Sequence, residues 1–194
     1  MDFIEKHLLE SSKIISEINK GSILSVIDVI SEVKKQNGRI FFLGAGGSAG
    51  NAAHAVNDFR KLCNIESYSP TDNVSELTAR VNDEGWETVF SEWLKVSKLN
   101  ENDMLFIFSV GGGNKEKSVS VNLIHAIDYA KKVKSKVVGI VGRDGGYTFK
   151  NSDACILVPN VNPESVTPHS EAFQALLWHL IITHPKIKQN KTKW

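Results

Sequence analysis

The amino-acid sequence predicts an α/β fold, with a mostly parallel sheet covered by helices on both faces. Three observations carry this reading. Apolar runs of strand length stand at 40–43, 104–108, 137–141 and 154–158. Segments with helical spacing separate them. The first three runs end in glycine-rich turns. Continuous apolar runs are what parallel strands buried on both faces look like.

The elements follow in order. Residues 3–18 set Phe3, Ile4, Leu8, Ile14, Ile15 and Ile18 at helical spacing. Residues 23–36 do the same with Leu24, Ile27, Ile30 and Val33, and Gly38 closes this second helix. Together they carry more apolar residues than one small sheet face needs, so they are expected to pack between subunits. The chain is then one domain: residues 1–37 for oligomer packing, 38–185 as the α/β core, and 186–194 as a basic, solvated tail. The strand at 40–43 runs into Gly44-Ala45-Gly46-Gly47-Ser48, and a helical pattern follows at once. Residues 65–69 are a further short strand candidate. Asn82-Asp83-Glu84-Gly85-Trp86 reads as a polar turn capping a helix that runs to about Lys98. The run at 104–108 ends in Ser109-Val110-Gly111-Gly112-Gly113-Asn114. The run at 137–141 ends in Gly142-Arg143-Asp144-Gly145-Gly146, which reads equally as a ligand loop or as a plain turn held by Asp144. A last helix carries Glu171 and His179, with Phe173, Leu176, Leu177 and Leu180 toward the core.

Bulk properties exclude several classes. With 23 basic and 22 acidic residues the net charge is +1, so no nucleic-acid footprint or polybasic membrane patch is expected. No apolar stretch reaches the length of a membrane span. The amino-terminal pattern is amphipathic and does not resemble a secretory leader. Cys63 and Cys155 make no disulfide framework, and Cys155 reads as a small core residue. A cytoplasmic protein is expected, with neither nucleic acid nor membrane as partner.

The chemistry starts at the first glycine turn. Glycines let backbone approach a ligand, and the helix that follows points free N–H groups and a positive dipole end at it. With the Ser48 hydroxyl where the helix opens, this is a phosphate cradle. Gly44-x-Gly46-x-x-Ala49 also fits the loose dinucleotide fingerprint, with Glu66 near the offset of a ribose-binding acid. His54 and Asp58 lie one turn apart on the same helix and face one way. Glu171 and His179 are eight residues apart, two turns plus roughly 80°, and can border one pocket. Two imidazoles and two carboxylates suit Zn²⁺. The same residues also read as a surface ion pair and a core histidine beside Trp178. His169, next to Pro168, is a further candidate, whereas His125 and His184 look like ordinary helix residues.

Several of these motifs combine into a recognisable pattern. The glycine loop with Ser48, His54-x-x-x-Asp58, Leu77-Thr78-Ala79 with Asn82-Asp83, the 142–146 turn, and Glu171 with His179 resemble the sugar-isomerase (SIS) domain. Within it they resemble the phosphoheptose isomerase family, over nearly the whole chain. The resemblance implies a five-stranded parallel sheet in a flavodoxin-like three-layer sandwich, assembled as a homotetramer with active sites near subunit interfaces. It implies an aldose–ketose isomerase converting sedoheptulose 7-phosphate to D-glycero-D-manno-heptose 7-phosphate, or a close heptose phosphate. The product would feed lipopolysaccharide or capsule biosynthesis. It implies that Ala45, Gly46, Gly47, Ser48, Asn82, Asp83, Ser109, Val110, Gly111, Asn114 and Glu171 bind the phosphorylated sugar. It implies one Zn²⁺ per subunit on His54, Asp58, Glu171 and His179, with Asp58 and His179 as the acid–base pair.

The chain also departs from that family's pattern. Asp58 stands where the family has Glu, Glu171 where it has Gln, and Ala45 where it has Asn. The loop at 109–114 lacks two hydroxyl donors, which shifts phosphate binding onto backbone N–H groups and Lys115. The lost hydroxyls favour a different class: a non-catalytic SIS-domain regulator that binds phosphosugars, or a protein associating with the replication initiator DnaA. His54 and His179 oppose that alternative.

Overall fold

A computed structural model describes residues 1–192. Five strands form one sheet: β1 (Ile40–Leu43), β2 (Ser67–Tyr68), β3 (Met104–Ser109), β4 (Lys136–Val141) and β5 (Ala154–Leu157). Their order is β2-β1-β3-β4-β5, and every neighbouring pair is parallel. The helices are α1 (Phe3–Glu17), α2 (Lys20–Lys35), α3 (Gly47–Cys63), α4 (Val74–Glu84), α5 (Val89–Val96), α6 (Val121–Lys132), α7 (Gly146–Asn151) and α8 (Val166–Thr183). A 3₁₀ turn, Pro163–Ser165, leads into α8. No helix among the described residues is long and apolar enough to cross a membrane.

Strand alternation divides the core into two layers. Phe42, Phe106, Phe108, Val138, Ile140 and Ile156 face α2, α3 and α8. Phe41, Leu43, Leu105, Ile107 and Val137 face α5 and α6. Register sets Phe42 beside Phe106, their rings 5.3 Å apart, and Phe59 of α3 closes on Phe42 at 5.1 Å. Asp2 and Asn19 cap α1 and α2 through backbone N–H bonds of 2.8 and 3.1 Å. At the amino ends of β1 and β3, the buried Asp103 carboxylate accepts from Arg39 N at 2.9 Å, Arg39 Nη2 at 2.7 Å and Asn100 Nδ2 at 2.9 Å.

Several expectations are corrected. Asn82 and Asp83 do not begin a helix: they lie in the last turn of α4, and Gly85, with φ +90°, ends it. The next helix starts at Val89, after Thr88, and stops at Val96. Leu176 and Leu180 are exposed, and Trp178, Ile181 and Ile182 fill the core beside Phe173 and Leu177. The tail expected over 186–194 ends in Lys193 and Trp194, outside the described residues. Its earlier part is not a solvated tail. Ile187 is fully buried, and Gln189 and Asn190 donate their N–H groups to the Leu62 carbonyl near the end of α3. An apolar side chain and unsatisfied helix-end carbonyls together hold it down.

Candidate active site

A parallel sheet in this strand order leaves a crevice beyond the carboxyl ends of β1 and β3, where the chain departs in opposite directions. A cleft of about 770 Å³ lies there. Ala45 and Ser48 reach it from the turn after β1, and Ser109, Val110, Gly111 and Asn114 from the turn after β3. Arg143 and Asp144 come from the turn after β4, and Asn160 and Pro163 from the chain after β5. The start of α8 adds Val166 and Thr167.

The cleft is built to receive an anion. α3 starts from Gly46, whose φ of +60° only glycine adopts without cost, and no side chain caps it. Its first N–H groups therefore carry no side-chain cap, with the buried Ser48 beside them and the Glu171 carboxylate over Gly47. The other two turns brace each other: Thr148 N and Oγ1 both donate to the Gly112 carbonyl at 2.8 Å. Ser109 Oγ accepts from Gly112 N at 3.0 Å and shapes its own loop. Asp144 Oδ1 accepts from Gly146 N at 3.2 Å, so this turn is self-stabilised and also lines the cleft. Arg143 holds a left-handed φ of 51°, unusual for a non-glycine residue.

The cleft's cations are Arg143 and Lys117. Lys115 instead pairs with Asp128 at 3.4 Å and lies over the Tyr147 ring. Side-chain direction in an irregular loop has no sequence period, so nothing in the spacing distinguishes Lys115 from Lys117. Asn82 and Asp83 stand apart from the cleft on exposed α4, where Asn82 Nδ2 donates to Asp83 Oδ1 at 2.6 Å.

Farther along α3, His54, Asp58 and His179 come together. The Nε2 atoms of His54 and His179 lie 3.7 and 3.9 Å from Asp58 Oδ2. Asp58 is buried, the two rings are half exposed, and Asn57 Nδ2 donates to Asp58 Oδ1 at 2.7 Å. The His179 Nδ1 faces the Ala175 carbonyl, 2.7 Å away, which turns Nε2 toward Asp58. A buried carboxylate between two imidazoles, one oriented by a backbone carbonyl, fits a divalent metal of the zinc class.

Glu171 is not part of this trio. Its carboxylate lies over Gly47, so closely that a Cβ there would overlap it, at the positive end of α3. Asn51 Nδ2 donates to the Glu171 carbonyl at 3.0 Å and joins the two helices. α3 and α8 thus link the cleft to the trio. Ser48 and His54 are six residues apart on α3, about 9 Å along its axis.

The dinucleotide reading fails. Residues 62–63 end α3 and do not start a strand, and exposed Glu66 accepts from Tyr68 Oη at 2.7 Å on the sheet edge. The cysteines take no part: burial pushes both thiols up to about 12. His169 is buried and pairs with Glu10.

Comparisons with known proteins converge. The SIS domain family profile matches residues 5–142. Phosphoheptose isomerase 1 of Campylobacter jejuni is 32% identical over 167 residues, covering 82% of this chain and 86% of that protein. A phosphoheptose isomerase of Helicobacter pylori is 27% identical over 188 residues, covering 93% and 92%. The structure of phosphoheptose isomerase GmhA from Neisseria gonorrhoeae superposes with a TM-score of 0.81 at 25% identity, covering 92% of this chain and 94% of that one.

Proposed function

Since the chain belongs to the SIS domain family and, within it, to the phosphoheptose isomerases, we propose that it interconverts sedoheptulose 7-phosphate and D-glycero-D-manno-heptose 7-phosphate, or a close heptose phosphate. It would act in the cytoplasm, as a homotetramer, to supply heptose for surface polysaccharide. One observation carries the reading beyond family membership: an anion-binding cleft and an acid–base trio share α3 and α8. The 9 Å offset suits a substrate whose phosphate is remote from its carbonyl.

The phosphate is bound by the N–H groups of Gly46, Gly47 and Ser48, the Ser48 hydroxyl and the turn from Ser109 to Asn114, with Lys117 and Arg143 supplying charge. Holding that end fixes the reacting carbons against the trio. The reaction moves one proton between C1 and C2 and another between their oxygens. Asp58 exchanges the carbon-bound proton, and His179 Nε2 serves the oxygens. Burial and the Asn57 amide hold the Asp58 carboxylate in position. Glu171, over the glycine loop, meets the sugar hydroxyls. Asn82 and Asp83 would reach a substrate only across a subunit boundary, given their distance from this chain's own cleft.

One Zn²⁺ per subunit would be held by His54, Asp58 and His179, with Glu171 as fourth ligand if its side chain leaves the start of α3. When bound, such an ion polarises the substrate oxygens and stabilises the charge that develops on them. His179 Nε2 has a single lone pair, so it serves the oxygens only where it holds no ion; where it would hold one, the proton work rests on Asp58, whose two oxygens allow both roles.

The test is conversion of sedoheptulose 7-phosphate by zinc-replete protein, followed by NMR. Heptose 7-phosphate is expected to accumulate to equilibrium, and His54→Ala to lose zinc and turnover together. Absence of turnover on this and other ketose phosphates would overturn the proposal.

A further inference from the structure

A second group of ligand-type side chains joins α1 to α8. His7 and Glu10, at i and i+3, share a face of α1. Buried His169 meets them from α8, its Nε2 2.9 Å from Glu10 Oε2. The His169 ring stacks on His7 with centroids 4.3 Å apart. The ligand atoms of all three lie within 4.8 Å of one another. Glu10 Oε1 accepts from Asn162 Nδ2 at 2.7 Å.

We propose that His7, Glu10 and His169 form a second cation site, for a zinc-class divalent ion, separate from the trio of His54, Asp58 and His179. Two imidazole nitrogens and one carboxylate oxygen are a zinc ligand set that leaves a position for water. Bonds of about 2.1 Å hold tetrahedral ligand atoms roughly 3.4 Å apart. The Glu10–His169 pair is already near that spacing, and the His7 ring reaches the same point by turning out of its stack on His169. The Asn162 amide on the free oxygen of Glu10 is the kind of outer contact that orients a ligating carboxylate.

A plain Glu–His hydrogen bond accounts for two of the three residues. It does not account for His7, whose ring makes no hydrogen bond among the described residues yet packs against His169. The location gives the site a purpose. Asn162 caps the Pro163–Ser165 turn, and Pro163 and Val166 form a wall of the cleft. An ion here would clip α1 to α8 and brace that wall.

The test is titration of the metal-free chain with Co²⁺, read by its visible d–d bands. In the His54→Ala/His179→Ala background one equivalent is expected to bind per chain. Adding His7→Ala or Glu10→Gln should weaken it at least about 100-fold, the upper end of what an outer contact costs. His7 is half-buried on a surface helix, so its removal leaves the fold intact, as circular dichroism would verify. In the wild-type background His7→Ala must remove one equivalent, whatever the other trio binds. Failure of the double variant to bind Co²⁺ at micromolar concentration, or unchanged stoichiometry in the His7→Ala chain, would overturn the proposal.

Discussion

Gly47 and Glu171 lay claim to one volume at the site. The carboxylate occupies the volume that a side chain at 47 would need. Gly47→Ala is therefore expected to push aside the carboxylate, the far end of a flexible side chain, at a cost of less than about 1 kcal/mol. In the Glu171→Ala background the same change should be neutral or stabilising, because the obstacle is gone and alanine favours a helix over glycine by up to about 1 kcal/mol. Denaturant unfolding of the four chains measures this, and equal penalties in both backgrounds would show that Glu171 does not lie over Gly47. At this scale much of the site was legible. The i, i+4 spacing of His54 and Asp58 put both on one face of α3, and His179 joined them. The eight-residue interval to Glu171 was legible too, but its consequence was not. Two turns along α8 carry Glu171 to the glycine loop and His179 to the trio, so the helix spans two subsites where one pocket was expected. The pairing of Glu10 with His169 had no local signal, because 159 residues separate them.

At the scale of elements, the ends of the strands divide the work. The carboxyl ends carry the cleft, whereas Asp103 and Arg39 tie the amino ends of β1 and β3. Asp103→Ala takes the carboxylate from the Arg39 guanidinium, which keeps the Ser97 and Lys98 carbonyls, and leaves the backbone N–H groups of Arg39 and Asn100 unanswered. It is expected to lower stability by about 3 kcal/mol, the low end for a broken buried pair because Arg39 keeps some contact with water. Activity per folded molecule should be unchanged at low temperature, since the clamp is a strand's length from the cleft. Urea unfolding with parallel rate measurements checks both, and a large loss of rate in folded protein would contradict this division. Four strands were visible as apolar runs because burial on both faces leaves no polar interruptions. β2, two residues long at the sheet edge, carries little pattern and showed only as the short candidate at 65–69. The segment at 82–86 was misread because acidic and amide residues suit a first helical turn. Val74 to Val81 had already begun a helix with no buried residue, whose weak pattern hid its end.

The whole molecule presents an apolar surface that one chain does not cover. Phe3, Ile4, Leu8 and Ile15 on α1 and Leu24 on α2 are exposed, from 80% at Phe3 to 49% at Leu24. A contiguous apolar face of this kind marks a protein interface. Replacing Leu8 and Ile15 by Glu is expected to convert the proposed tetramer into smaller species in sedimentation, with turnover falling in step. A stable wild-type monomer at micromolar concentration would refute the assembly. Leu176 and Leu180, on either side of His179 in α8, are exposed as well.

By itself the sequence determined the parallel sheet, the glycine turns at its carboxyl edge, the helix that opens on Ser48, and the histidine and carboxylate spacing on α3 and α8. These are local matters: apolar period, glycine placement and helical geometry act over a few residues and need no partner. Tertiary structure alone decided which lysine faces the cleft, where the Glu171 carboxylate rests, that Ile187 is core, and that α1 meets α8 through His7, Glu10 and His169. Each of those depends on segments far apart in the chain arriving at one place, and the packing that brings them there leaves no period in the sequence to read.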